Sequence, residues 1–160
     1  MNDRGQRLKE IAAIAAALEK QTGCPARLMI AQWALESEWG AKPVGQFNFF
    51  GIKRAARHTK WCTVTTHEVG NGKSVVENLE FADYDSLQAS CEDYAWLITR
   101  GAPYQQAWQR YQQDKDLVAL ITAVARTYAT APQYGESLNH IATQNNITIA
   151  IESSYNEKGE

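Results

Sequence analysis

Among the charged residues, Glu36 has the least ordinary surroundings. It lies between Leu35 and Ser37, near the end of the most apolar stretch of the chain. Gln32, Trp33, Trp39 and Gly40 stand at helical spacing from it. A carboxyl group placed there loses hydration, which favours the neutral acid, and a helix C-terminus also disfavours a nearby negative charge. Such a group suits a general acid, which holds its proton near neutral pH and gives it to a leaving oxygen. The bland alternative is a glutamate that reaches solvent from the helix end or pairs with an arginine. Glu38, two residues on, points to another face and reads as a solvated surface charge.

Two further features could serve the same chemistry. The segment GQFNFFGIK places Phe47, Phe49 and Phe50 around Asn48. Rings stack on pyranose faces, and an outward amide hydrogen-bonds hydroxyl or acetamido groups. The same rings could equally fold the loop onto the core. Glu68 closes an expected strand, and glycoside hydrolysis usually needs a second carboxylate across the bond from the acid. A solvated turn carboxylate is the alternative, and Glu77, Glu80, Asp83 and Asp85 are further candidates nearby. His58, His67 and His140 have no metal-ligand spacing, and no nucleophile elbow or glycine-rich phosphate loop is present. No metal and no organic cofactor is expected.

The elements that must position these residues are mostly helical. Apolar residues at Leu8, Ile11, Ala12, Ala15 and Leu18 predict a helix over Arg7 to Lys20, ended by Gly23. A second helix, Ala26 to Trp39, is apolar on nearly every side and therefore buried, with Gly40 as its expected C-cap. Residues 41–57 read as a structured loop. Trp61 to Glu68 and Ser74 to Phe81, joined through Gly70-Asn71-Gly72, predict a β-hairpin. Asp85 or Ser86 caps a helix to about Thr99. Further helices are expected over Tyr104 to Tyr111, Asp116 to Tyr128, and Pro132 to about Asn145. The last segment, ITIAIESSYNEKGE, begins as a strand-like run and ends polar.

Composition narrows the class. The chain has 160 residues, 44% of them hydrophobic, enough for one domain with a real core. We expect a single domain over 1–150 and a polar tail over 151–160. Sixteen Lys and Arg face eighteen Asp and Glu, so the basic footprint of a nucleic-acid binder is missing. No run of about 18 apolar residues predicts a membrane span. The apolar run Ile11 to Leu18 follows acidic Asp3 and Glu10 and precedes no small-residue cleavage site, so it reads as a helix and not as an export signal. Three cysteines, Cys24, Cys62 and Cys91, match no zinc spacing and are expected as packed free thiols.

Four segments in order, AQWALESEWG, FNFFGIK, FADYDSLQASCEDYAWLI and YATAPQYGESL, resemble the glucosaminidase domain of glycoside hydrolase family 73. The resemblance runs from about Leu8 to Asn145. That family includes bacterial autolysins, the wall-cutting domain of a flagellar assembly protein, and phage lysins. The resemblance implies an α+β, mainly α, lysozyme-like fold, with a helical lobe, a small β-hairpin lobe and a cleft between them. It implies Glu36 as the general acid, Glu68 as a base or charge stabiliser, and Tyr128 lining the cleft. Trp39, Asn48 and Phe49 join Tyr128 as implied sugar contacts. The chain has Glu38 where the family commonly has glycine, a second carboxylate that could raise the pKa of Glu36 or alter substrate preference.

The implied reaction is hydrolysis of the β-1,4 bond on the reducing side of N-acetylglucosamine in peptidoglycan. Attack is by water from the opposite face or with help from the substrate acetamido group. Lytic transglycosylase or muramidase action on the same polymer is the nearest alternative, and a catalytically silent wall-binding or assembly domain is a different class. The expected partner is the glycan strand, met by a monomer without nucleic acid or stable membrane insertion. With a formal charge of -2, recognition of an anionic wall would rest on local contacts. The setting expected is a protein made in the cytoplasm that acts in the periplasm or wall, with a phage lysin as the favoured case.

Overall fold

The run Ala26–Glu36 forms helix α2, and the rest of the molecule is assembled around it. Leu28, Met29, Ile30, Ala31 and Trp33 are all at most 1% exposed. Each large side chain so buried is worth about 1.5–3 kcal/mol relative to exposure. A helix apolar all round needs cover on every side. Helix α1 (Asp3–Thr22), α3 (Leu87–Arg100), α6 (Gln133–Ala142) and α7 (Asn145–Asn156) supply it. Helices α4 (Gln105–Asp114) and α5 (Leu117–Tyr128) complete the helical lobe, with a short 3-10 turn at Ala102–Tyr104 before α4. The structure is a computed structural model that describes residues 3–70, 73–129 and 131–156, and side chains for all of these except 67–70 and 73–74.

Strands β1 (Trp61–Gly70) and β2 (Lys73–Ala82) form one antiparallel hairpin, with Trp61 opposite Ala82 and Glu68 opposite Val75. The expected turn at Asn71-Gly72 lies outside the described residues. A third segment joins the hairpin base: Ala82 N donates to Ile52 O at 3.0 Å and Arg54 N to Glu80 O at 3.0 Å. The loop after α2 is thereby tied to the β-lobe. The fold is α+β, mainly α, as the sequence implies.

Several expectations need correction. Helix α2 ends at Glu36, not Trp39, and Ser37 rather than Gly40 is its C-cap. The ITIAI run is not strand-like, because residues 145–156 form α7. The supposed boundary at residue 150 therefore falls inside a helix, and Ile151 and Ser154 are buried rather than part of a loose polar tail. Arg27 fixes that helix from α2, donating to Ala142 O at 2.9 Å and Thr148 Oγ1 at 2.7 Å. Of the two expected caps for α3 it is Ser86 that serves, and Asp116, expected only as a helix start, caps α5; each side chain accepts an amide at 3.0 Å. Cys24, Cys62 and Cys91 are free thiols. Among the described residues no helix is long and apolar enough to cross a membrane.

Candidate active site

Glu36 is the last residue of α2, and the backbone turns sharply away behind it. Glu38, Trp39 and Gly40 all have positive φ, at 50°, 59° and 77°. Two of these are not glycine, so the turn is strained and must be held from outside. Ser37 holds it: its Oγ donates to Trp33 O at 2.6 Å and accepts from Gly40 N at 2.9 Å. Gly40 is required because a Cβ there would lie 2.5 Å from the Trp33 ring. Glu38 is exposed and paired with Lys42 at 2.9 Å, a solvated charge as expected.

A directed chain of hydrogen bonds ends on Glu36. The Tyr94 hydroxyl donates to Gln32 Oε1. Gln32 Nε2 donates to the Tyr134 oxygen at 3.1 Å, and the Tyr134 hydroxyl donates to Glu36 Oε1. Tyr94 and Gln32 are fully buried, so each amide and hydroxyl needs such a partner. Burial raises the Glu36 pKa above the ordinary carboxylate value, and the Tyr134 bond partly offsets it. The same burial and the neighbouring carboxylate push the Tyr134 hydroxyl far above its ordinary range, so it remains a donor.

The other carboxylate oxygen, Oε2, faces Gly51. A Cβ at that position would stand 3.3 Å from Oε2, and the φ of +63° also favours glycine. The missing side chain leaves Oε2 without a covering group on that flank. Gly51 also begins a groove of about 550 Å³ that continues past Lys53, Arg57, Trp96, Tyr104 and Tyr128. A larger groove of about 870 Å³ lies between α5 and α6; Glu36 and Tyr134 line neither groove, and it is Gly51, beside Glu36 Oε2, that brings the smaller one to the carboxyl.

The sequence-predicted contacts divide. Asn48 does not point outward: it is 1% exposed. Its Nδ2 donates to Ile52 O at 2.9 Å and Ala82 O at 2.8 Å, and its Oδ1 accepts from Phe50 N at 3.3 Å and Ile52 N at 3.1 Å. All its capacity goes to the loop backbone, and none is left for a ligand. Phe50 is buried and stacked on Tyr94 with ring centroids 4.4 Å apart. Phe49 is half-buried beside Phe47. Trp39 is half-buried, edge-on to Trp33, with the Arg4 guanidinium over its ring at 3.6 Å. Tyr128 does line the groove, and its hydroxyl donates to Phe50 O.

The remaining carboxylates are mostly occupied. Asp83 accepts from the amides of Gln46 at 3.0 Å, Phe47 at 3.0 Å and Tyr84 at 2.9 Å. Burial pushes its pKa up, but these amides and Lys60 more than offset it, so it titrates below the ordinary range. Glu80 is bidentate with Arg54, and Asp85 pairs with Lys60. Asp93 takes the Arg57 guanidinium, His58 Nε2 and the Tyr84 hydroxyl. Glu77 is exposed on β2 opposite Thr66. Glu68 occupies its strand position, while its side chain, like that of His67, lies outside the described residues. Tyr134 is the residue of the candidate site that sequence reasoning missed. The segment YATAPQYGESL carries two tyrosines, and it is the second that reaches the acid.

Comparison with known proteins places this arrangement. The glucosaminidase family, described as mannosyl-glycoprotein endo-beta-N-acetylglucosaminidase, matches residues 12–147. A probable N-acetylmuramidase of Lactococcus lactis is 34% identical over 149 residues, covering 88% of this chain and 33% of the relative. The peptidoglycan hydrolase FlgJ of Escherichia coli K12 is 30% identical over 156 residues, covering 92% of this chain and 49% of the relative. The chain thus spans a third to a half of the length of these curated relatives. The catalytic domain of the autolysin Auto from Listeria monocytogenes superposes with a TM-score of 0.76 at 28% identity, covering 94% of this chain and 89% of that one. With its helical lobe, its hairpin and Glu36 at the end of α2, the chain belongs to the glucosaminidase family of glycoside hydrolases.

Proposed function

We propose that the chain hydrolyses the β-1,4 bond between N-acetylglucosamine and N-acetylmuramic acid in peptidoglycan, with Glu36 as the general acid. The observation that carries this reading is the unequal treatment of the two Glu36 oxygens. Oε1 accepts from Tyr134, so the acid proton belongs on Oε2, the oxygen on the Gly51 side. From there it passes to the glycosidic oxygen as the bond to the anomeric carbon breaks. The carboxylate left behind keeps the Tyr134 hydrogen bond, which stabilises it. Water then completes the reaction, activated by a second carboxylate or preceded by attack of the substrate acetamido group. Glu68 is the proposed second carboxylate, with the exposed Glu77 as its neighbour on the facing strand. Base-assisted inversion calls for carboxyl groups roughly 6.5–9.5 Å apart.

The names of the relatives support the polymer as substrate, since the matched proteins include a peptidoglycan hydrolase and an autolysin. One of them is called a probable N-acetylmuramidase, which makes the other β-1,4 bond of the strand the second reading. We read the protein as a monomer acting in the cell wall, as a lysin does, on strands threaded through the groove.

Mass spectrometry of muropeptides released from purified peptidoglycan tests the proposal. New reducing-end N-acetylglucosamine from the wild type, with Glu36→Gln slower by about 100-fold or more, is the expected result. Reducing-end N-acetylmuramic acid would establish the muramidase reading, and anhydro-muramic ends a transglycosylase. Sacculi bound but never cut would leave a binding domain.

A further inference from the structure

The groove that starts at Gly51 carries an unusual charge balance. Three cations line it, Lys53, Arg54 and Arg57, and among its described lining residues there is no carboxylate. Two of the three are already neutralised. Arg54 is bidentate with Glu80, and its guanidinium lies over the Trp61 ring at 3.5 Å. Arg57 is bidentate with Asp93 and lies over Trp96 at 4.3 Å. Lys60, just outside the groove, is bound to Asp85, Gln46 Oε1 and Tyr84 O. Lys53 differs: among the described residues its ammonium has no hydrogen-bond or ion-pair partner, although its backbone is fixed by the bridge to Phe81. On a chain of net charge -2, this is a positive charge placed in a groove and left uncompensated.

Along the chain from Gly51 it stands close to the proposed acid. Gly51 abuts Glu36 Oε2, and Lys53 follows two residues later, no more than about 7 Å of chain. In the proposed substrate, the scissile oxygen is attached to C4 of the muramic acid sugar. The neighbouring C3 carries the lactyl ether, from which the peptide stem grows. The only anionic groups on such a strand, the carboxylates of that branch, therefore begin one carbon away from the bond that Glu36 protonates.

We propose that Lys53 is a specificity residue that binds a carboxylate of the muramyl 3-O branch when the leaving sugar occupies the groove. The inference rests on the proposed glucosaminidase reading for the position of the branch. Lys53 selects strands with an anionic branch over neutral ones, and Trp96, Tyr104 and Tyr128 supply the apolar walls for the sugar. A single ammonium–carboxylate contact formed on binding is worth about tenfold in affinity. It weakens as salt screens the partly exposed pair.

The test uses soluble strands in three forms: peptide-bearing, amidase-stripped so that only the lactyl carboxylate remains, and peptide-bearing with all carboxyls amidated by a carbodiimide. Binding is measured with Glu36→Gln and with Glu36→Gln combined with Lys53→Gln or Lys53→Arg, and hydrolysis with the same Lys53 variants alone. The expected result is about tenfold tighter binding of anionic than of amidated strands, a ratio that collapses with Lys53→Gln and survives with Lys53→Arg. Preference for the stripped strand locates the contact at the lactyl carboxylate, and preference for the peptide-bearing strand locates it on the stem. Equal binding of all three forms, or an equal loss on all three with Lys53→Gln, overturns the inference. Charge-selective binding without hydrolysis by the wild type would sink the catalytic reading alone.

Discussion

Two buried polar constellations lie within one loop of each other, and they are finished differently. Under residues 45–52, Asn48 and Asp83 hold the loop, with every Asn48 donor and acceptor turned on backbone groups and three amides on the Asp83 carboxylate. At the end of α2, the chain from Tyr94 through Gln32 and Tyr134 converges on a single oxygen of Glu36. The first network is saturated and therefore inert. The second keeps one oxygen, Oε2, outside the bonding, on the side where Gly51 has no side chain. Burial acts on both carboxyl groups in the same direction. Donated amides bring Asp83 below the ordinary range, whereas one tyrosine leaves Glu36 above it. The number of donors decides which of the two carboxyls ionises easily and which holds its proton to higher pH.

Breaking the saturated network should have the larger effect on stability. Asn48→Ala leaves Ile52 O, Ala82 O and the amides of Phe50 and Ile52 without these partners in a site closed to water. We expect a loss of about 3 kcal/mol, a fall in melting temperature of about 6–12 °C for a domain of this size. Because the loop carries Gly51 to the acid, activity should fall with the fold and recover in part on cooling. A melting curve within 2 °C of wild type, read by circular dichroism, would show that Asn48 does not tie the loop together.

The open network should answer in its pH dependence instead. A general acid works only while protonated, so with Glu36 in the role proposed for it, activity should decline as pH rises through the Glu36 pKa. Tyr134 donates to the carboxylate form and lowers that pKa against the larger effect of burial. Tyr134→Phe removes the bond, so the basic limb of the kcat/KM profile should move to higher pH while the maximum rate falls. Tyr94→Phe, which touches only the far end of the chain, should move the limb less. A limb displaced to lower pH in Tyr134→Phe would mean that the tyrosine does not stabilise the ionised acid.

The sequence made some of this arrangement legible and hid the rest for identifiable reasons. Periodicity located α5, and periodicity with capping chemistry located α3, where Ser86 bonds the amide three residues on. The apolar surroundings of Glu36 pointed to a raised pKa because desolvation is a local property of the helix. Helix α7 was hidden by Ile147, Ile149 and Ile151, which alternate as in a strand. Only Ile147 and Ile151, four residues apart, are buried, while Ile149 is 56% exposed. Packing against α1 and α2 overrides their β-branched preference. The inward turn of Asn48 was hidden because its partners include Ala82, 34 residues away. Tyr134 stands 98 residues from Glu36, and local spacing does not distinguish it from Tyr128. The positive φ of Glu38 and Trp39, neither of them glycine, has no sequence signature at all.

The smallest effect is the one that isolates the cost of the open oxygen. A carboxyl whose pKa is raised by folding favours the folded state while protonated, and that contribution is lost as pH rises through the folded-state value. Above that value the half-buried charge of Glu36 works against folding, only partly relieved by Tyr134. Glu36→Gln keeps an acceptor for Tyr134 and removes the charge. It should therefore raise the melting temperature by about 1–3 °C at pH 8. Near pH 4 the wild-type carboxyl is protonated and the advantage should vanish. A variant less stable than wild type at pH 8 would mean that the ionised carboxylate is well solvated by its network, and the contrast with Asp83 would then lie in geometry alone.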